Sequence, residues 1–445
     1  MRLKSKNIVK ILISSLIIPL IFGFFFQMAR ASSGTTGNKT IIHFWHAMSG
    51  QRFQALKKVI NDYNQSQDKY FVIPDYQGSY EDTLAKYLSV SGTTSSPDIV
   101  QVIEAGTQTM RDAKAYKPVQ DFIDAEGYDK SQLEPRIANY YSLNGRQQSM
   151  PFNTSTMVMY VNKDLLKSVG IEKTPETFEE VSDFGKKLKE KGSKATAIGA
   201  QSYSWVYEQL VANQNAISLN KSNGQEGTPD EALTNNQSAV DYLNWKQKSI
   251  EEGAATNFGT DESTMVASFI KGDIGLMLAT SAYSAQLFKA VNYELGIIAI
   301  PHPEDKSPVG TQIGGANLHV GVNRPKAKEN GAWDFLKYMA SPKAQADWSV
   351  GTGYYSINKK AYDEPVIKKS YSEHPQLIDA LKQLRDAKDV PANSGIFSTK
   401  YLYMRQQLET AESAIFNGAD VKESLDKATN DISRELKLAE RAKEK

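Results

Sequence analysis

Ile41-Ile42-His43-Phe44-Trp45-His46 opens the folded part of the chain, and its reading sets the fold class. β-branched and aromatic residues in an unbroken short run favour a strand. Phe53, Leu56, Val59, Ile60 and Tyr63 follow with polar residues between them, the spacing of one helical face. Tyr70–Ile73 is a second apolar strand pattern and Asp98–Ile103 a third. Strands alternating with a helical pattern predict an α/β domain built on a largely parallel sheet.

The same alternation continues downstream. Met157–Val161, Ile274–Ala279 and Leu295–Ile300 read as buried strands. Thr177 and Glu180 form a capping box that opens a helix running to about Lys191. Trp205–Ala212, Ala239–Ile250 and Glu329–Met339 carry helical spacing, and Pro342 suits the first turn of another helix. Helices over Leu402–Phe416 and Val421–Leu438 close the chain, with Gly418 as the stop between them. The mixed charges from Arg434 to Lys445 read as the solvated end of the last helix.

Upstream of Ile41 the composition changes. Arg2, Lys4, Lys6 and Lys10 precede an apolar run from Ile11 to Phe26, and Ala29-Arg30-Ala31 is a small-x-small site. That is the pattern of a secretory leader. Two readings stay open: cleavage after Ala31, or retention of residues 1–31 as an anchor, since the run is close to the shortest that spans a bilayer. Either places the rest outside the cytoplasm, at a cell surface or in a periplasm. Residues 32–39 are Ser/Gly/Thr-rich and read as a tether.

Composition excludes several classes. The 445 residues include no Cys, so disulfides, thiolate metal sites, thiol nucleophiles and a lipid-modified Cys are all absent. Cleavage at Ala31 removes five positive charges and no acid, which turns a net +1 into −4. Such a chain is a poor nucleic-acid binder. No G-x-S-x-G elbow occurs, and none of His43, His46, His302, His319 or His374 lies in an H-E-x-x-H frame. Asp62-x-Asn64-x-Ser66-x-Asp68 begins like a calcium loop, but Gln67 stands at the turn Gly and Ile73 at the closing Glu. No catalytic residue, metal ligand or cofactor site is expected. Gly78-Ser79-Tyr80, Glu104, Asn153-Thr154-Ser155, Thr280, Ser281 and Gly314-Gly315 fall instead at strand ends and turns. Open α/β sheets bind small ligands there. Hydroxyls, rings and free backbone N–H groups suit polyols and sugars.

Taken in order, Ile41–His46 with Met48, Tyr76-Gln77-Gly78-Ser79-Tyr80-Glu81, Gln101–Thr107, Pro151–Thr156, Tyr160-Val161-Asn162-Lys163-Asp164, Ile313–Ala316 and Thr352-Gly353-Tyr354 resemble the extracellular solute-binding proteins of ABC importers. The likeness spans about 40–440 and is strongest to the glycerol-3-phosphate-binding branch. It implies a two-lobed periplasmic-binding-protein type II fold with hinge crossovers. Residues 40–152 plus 308–348 would form one lobe, and 153–307 plus 349–445 the other. It implies a receptor, not an enzyme, that hands glycerol 3-phosphate or a glycerophosphodiester to a membrane permease.

The resemblance also implies a site. Tyr80 and Glu104 would read glycerol hydroxyls, with Ser155 at one crossover and Tyr354 at the return. Thr280 or Ser281 and the Gly315 N–H would donate hydrogen bonds, and Arg405 would meet the phosphate bidentately. Where the family carries a W-x-x-W pair, this chain has Ser202 and Trp205, so one aromatic is lost unless Tyr203 replaces it. A smaller wall at Ser202 would admit a larger ligand. Two alternatives remain: a receptor for a neutral sugar or oligosaccharide, and a secreted glycoside hydrolase using Glu104 with a second carboxylate.

Overall fold

The computed structural model describes residues 38–443. The leader reading on residues 1–31 and residues 32–37 of the tether lie outside them. The chain builds two five-stranded sheets. The first uses β1 (Thr40–His46), β2 (Tyr70–Tyr76), β3 (Ile99–Ile103) and β4 (Met150–Ser155). The second uses β5 (Met157–Asn162), β6 (Thr196–Ala200), β7 (Ala255–Asn257), β8 (Ile274–Thr280) and β9 (Leu295–Ile298). Then β10 (Gly314–Val320) returns to the first sheet, giving the orders β2–β1–β3–β10–β4 and β9–β5–β8–β6–β7.

The expectation of a largely parallel sheet needs correction. β1 pairs in parallel with β2 and β3, but β10 runs antiparallel to β3 and to β4. The physical reason is connectivity. Parallel neighbours need a crossover through a helix, which links β1, β2 and β3. β10 arrives instead from the second sheet, more than 200 residues after β3, and enters from the opposite end. Asn153-Thr154-Ser155 ends β4 in the first sheet, and β5 of the second begins at Met157. Only Thr156 separates the two sheets at this point.

Helices cover both sheets. The main ones are α1 (Gly50–Ser66), α2 (Tyr80–Val90), α3 (Phe178–Glu190), α4 (Ser204–Asn213), α5 (Gln237–Glu251), α6 (Lys326–Met339), α7 (Pro342–Thr352), α8 (Tyr401–Phe416) and α9 (Val421–Lys443). Four of the five stripe residues read from sequence on α1 are buried, Leu56, Val59, Ile60 and Tyr63, and Phe53 is half-buried. The Thr177–Glu180 box is formed, with the Glu180 N–H donating to Thr177 Oγ1 and the Thr177 N–H to Glu180 Oε2, each at 3.2 Å. Trp348 of α7 stacks on Phe152 of β4, ring centroids 4.8 Å apart. This fixes the last strand of the first sheet beside the crossover. Among the described residues no helix is long and apolar enough to cross a membrane.

Candidate functional site

The sheets' strand ends face each other across one cavity of about 830 Å³. Its wall contains Tyr80, Glu104, Ser155, Trp205, Thr280, Gly315, Tyr354 and Arg405, eight of the nine residues singled out in sequence. Most come from element ends, whereas Arg405 lies inside α8. Tyr80 opens α2 behind a Ser79–Asp82 capping box. Glu104 follows the last residue of β3 and starts a one-turn 3₁₀ segment. Ser155 ends β4, Thr280 ends β8, and Gly315 is the second residue of β10. The ninth, Ser281, lies elsewhere. It is buried against the crossover, its N–H donating to the Thr156 carbonyl at 2.8 Å, and it lines a separate cavity beside Phe288 and His374.

At the floor lies a buried ionic cluster. Arg405 Nε and Nη2 donate to Glu208 Oε1 and Oε2 at 2.9 and 2.8 Å, and Nη2 reaches Glu104 Oε1 at 2.7 Å. Tyr401 Oη donates to Glu208 Oε2 at 2.7 Å. The Gly315 N–H donates to the other Glu104 oxygen at 3.1 Å. So the guanidinium that the resemblance assigned to phosphate is shared between two carboxylates, and the Gly315 N–H is taken by Glu104. Burial alone would lower the Arg405 pKa, but Glu208, Tyr401 and Glu104 push it well above its usual value. Burial pushes the Glu104 carboxyl up, against the pull of Arg405, and Glu208 adds to the rise. Charge-assisted pairs of this kind hold a carboxylate in one orientation.

The aromatic wall answers the question left at Ser202. Ser202 is buried away from the cavity, at 2% exposure, with its N–H on the Gly259 carbonyl. Tyr203 lines the cavity next to Trp205, ring centroids 6.2 Å apart and planes at 55°. The second aromatic is therefore present, one position further on. Trp205 fits because Gly314 has no Cβ: a Cβ there would lie 2.4 Å from the indole. Asn153 Nδ2 donates to Tyr80 Oη at 2.8 Å, which fixes the phenol at the rim of β4.

Several wall residues escaped the sequence reading: Arg52, Glu262, Tyr283, Tyr403 and Glu409. One signal was available. With Arg405 placed, Leu402 and Glu409 stand three residues before and four after it on the same helical face, and both line the cavity. Glu409 accepts from Ser204 Oγ at 3.1 Å, and burial raises its pKa. Four carboxylates (Glu81, Glu104, Glu262, Glu409) and two guanidiniums (Arg52, Arg405) face the cavity, a formal excess of two negative charges.

Comparison with known proteins places this geometry. The sequence pattern of the family described as "Bacterial extracellular solute-binding protein" matches residues 58–377. The sn-glycerol-3-phosphate-binding periplasmic protein UgpB of Escherichia coli (strain K12) is 32% identical over 380 residues, covering 83% of this chain and 86% of that one. The protein of the same name from Shigella flexneri gives the same figures. Among solved structures, UgpB from Mycobacterium tuberculosis in complex with glycerophosphocholine superposes with a TM-score of 0.77 at 19% identity, covering 92% of this chain and 100% of that one. The GacH receptor of Streptomyces glaucescens, solved unliganded and with acarbose, gives a TM-score of 0.75 at 17% identity, covering 89% and 98%. These structural likenesses establish the two-lobed α/β fold.

Proposed function

The chain belongs to the bacterial extracellular solute-binding proteins, and from that premise we propose that it is the receptor of an ABC importer for a glycerol phosphate ester. It captures the ester between its two lobes, outside the cytoplasm, and delivers it to a membrane permease. Two lobes, expected as residues 40–152 plus 308–348 and residues 153–307 plus 349–445, hinge at the crossovers near Ser155 and Tyr354, with the first boundary moved to Thr156 so that β4 stays whole. The carrying observation is convergence: eight residues from eight separate stretches of sequence meet around one cavity.

The charge of the wall supports a finer reading. A phosphate monoester carries nearly two negative charges at neutral pH, its second pKa being about 6. A cavity with an acidic excess disfavours it. A glycerophosphodiester brings one negative charge, and a cationic headgroup would meet Glu262 or Glu409. The volume also lies within the range of about 300–1,000 Å³ usual for drug-sized ligands. We therefore place a diester ahead of glycerol 3-phosphate. A neutral sugar is the second reading, favoured by the same acidic wall and by Tyr203, Trp205, Tyr354 and Tyr403 as ring-stacking faces.

A thermal-shift screen of the purified protein with glycerol 3-phosphate, glycerophosphocholine, glycerol, maltose and raffinose tests this reading. At 100 times its dissociation constant a ligand stabilises by roughly 2.7 kcal/mol. We expect a shift with the two phosphate compounds, larger for glycerophosphocholine. A shift with maltose or raffinose alone would move the assignment to neutral sugars.

Trp205→Ala is expected to weaken binding of the active compound by about 10- to 100-fold, the loss typical of a central aromatic anchor. Calorimetric titration measures it. Unchanged affinity would remove Trp205 from the ligand's wall. In this reading the bound molecule is released unchanged, so no turnover of any of these compounds is expected.

A further inference from the structure

A second compartment of about 250 Å³ opens off the cavity, sharing Ala47, Arg52, Tyr80 and Tyr283 with it and adding the side chains of Gln51 and Gln286. Arg52 stands at the junction. Its guanidinium carbon lies 5.4 Å from the ring centroid of Tyr283 and 5.6 Å from that of Tyr354. Among the described residues it forms no ion pair; aromatic faces flank it, and the carboxylate whose charge reaches it is that of Glu262. The contrast with Arg405 is sharp. Arg405 is held by two carboxylates, and the three groups together carry a net negative charge. An anion approaching Arg405 meets a guanidinium already paired with Glu104 and Glu208. An anion approaching Arg52 meets a cation with no carboxylate at ion-pair distance among the described residues, Glu262 acting on it only from further off, together with two carboxamides and the phenol of Tyr80.

We infer that Arg52 makes this junction the anion subsite: it takes the phosphate of the bound ester, while Arg405 serves to position Glu104 for the hydroxyls. The inference rests on the proposed receptor function and assigns within it which cation the ligand touches. A guanidinium stacked on ring faces keeps its N–H fork in plane and free, so it can clasp a phosphate from the edge while the tyrosines hold its orientation. Arg52 also reaches across the molecule. It sits on α1, packed with the first sheet, whereas Tyr283 follows β8 of the second. An anion bound at Arg52 would thus lie where the two halves meet.

The test is a calorimetric titration of glycerophosphocholine and glycerol 3-phosphate into the wild-type protein, Arg52→Gln and Arg52→Lys. Melting curves of each unliganded protein verify that it is folded. We expect Arg52→Gln to weaken both compounds by at least about 30-fold, the low end of losses seen when one partner of a hydrogen-bonded charge pair is removed. Arg52→Lys should recover part of that loss, since the charge returns without the fork. Inorganic phosphate should compete with glycerophosphocholine in the wild type and not in Arg52→Gln. Affinities of Arg52→Gln within threefold of wild type would overturn the inference and leave the receptor function standing. Absence of binding by the wild type would overturn both, and is seen before any variant is made.

Discussion

Replacing Arg405 by Met should lower the unfolding free energy by about 3–5 kcal/mol, measured by urea titration. The residue is 8% exposed and is the cation between Glu104, 3% exposed, and Glu208, 1% exposed. Removing one partner of a buried ionic set leaves charge in a medium that solvates it poorly. Glu104 would then be driven towards protonation, because burial has already raised its pKa. A double variant, Arg405→Met with Glu208→Gln, should recover part of the loss, because one of the stranded charges is gone. Arg405→Lys should fall between, as an ammonium cannot reproduce two bonds to Glu208 and one to Glu104 in fixed geometry. A loss under about 1 kcal/mol for Arg405→Met would show that this cluster does not hold the floor of the cavity. The prediction bears on function too. If Arg405 is structural in this sense, loss of ligand binding in Arg405→Met reports a collapsed site, and only Arg52 variants report on the anion.

Gly315→Ala should prevent folding or cost more than about 4 kcal/mol. Gly315 has φ +107°, a region that side-chain-bearing residues rarely enter, and a Cβ there would sit 1.8 Å from the Asn153 carbonyl oxygen. That atom belongs to backbone at the β10–β4 pairing, where Gly315 faces Thr154. The neighbour cannot swing aside as a side chain would. The same shift would pull the Gly315 N–H away from Glu104. Gly418 serves as the control. Its φ is +97°, but a Cβ there meets nothing within 4 Å, so Gly418→Ala should cost about 1 kcal/mol from backbone strain alone. Soluble yield and melting temperature separate the two. A Gly315→Ala protein melting alongside the parent would mean that β10 does not approach β4 as described.

Much of this architecture was legible in the chain because its signals are local. The Ile41–His46 strand, the α1 stripe and the Thr177–Glu180 box each depend on residues within a few positions of one another. The resemblance supplied the order of the site residues. What local patterns withheld was pairing at a distance. The antiparallel return of β10 follows from its passage through the second sheet, which no window around Gly314 reveals. Glu208 and Arg405 meet across 197 positions, and Arg52 and Tyr283 are separated still further. Arg52 is one of 52 cationic residues in the sequence. Only the fold shows that, among the described residues, no carboxylate forms an ion pair with it while Arg405 has two. Tyr203 was held open as a replacement aromatic. Its role depends on how the residues before α4 turn, and there Ser202 is buried while Tyr203 faces the cavity.

The central claim is that the cavity between the sheets holds one glycerol phosphate ester and releases it unchanged. Equilibrium dialysis with radiolabelled glycerol 3-phosphate tests it most directly. The account predicts one label retained per chain, displaced by excess unlabelled glycerophosphocholine and not by maltose, and recovered as glycerol 3-phosphate. No retention, displacement by maltose, or recovery of the label in a different compound would contradict it.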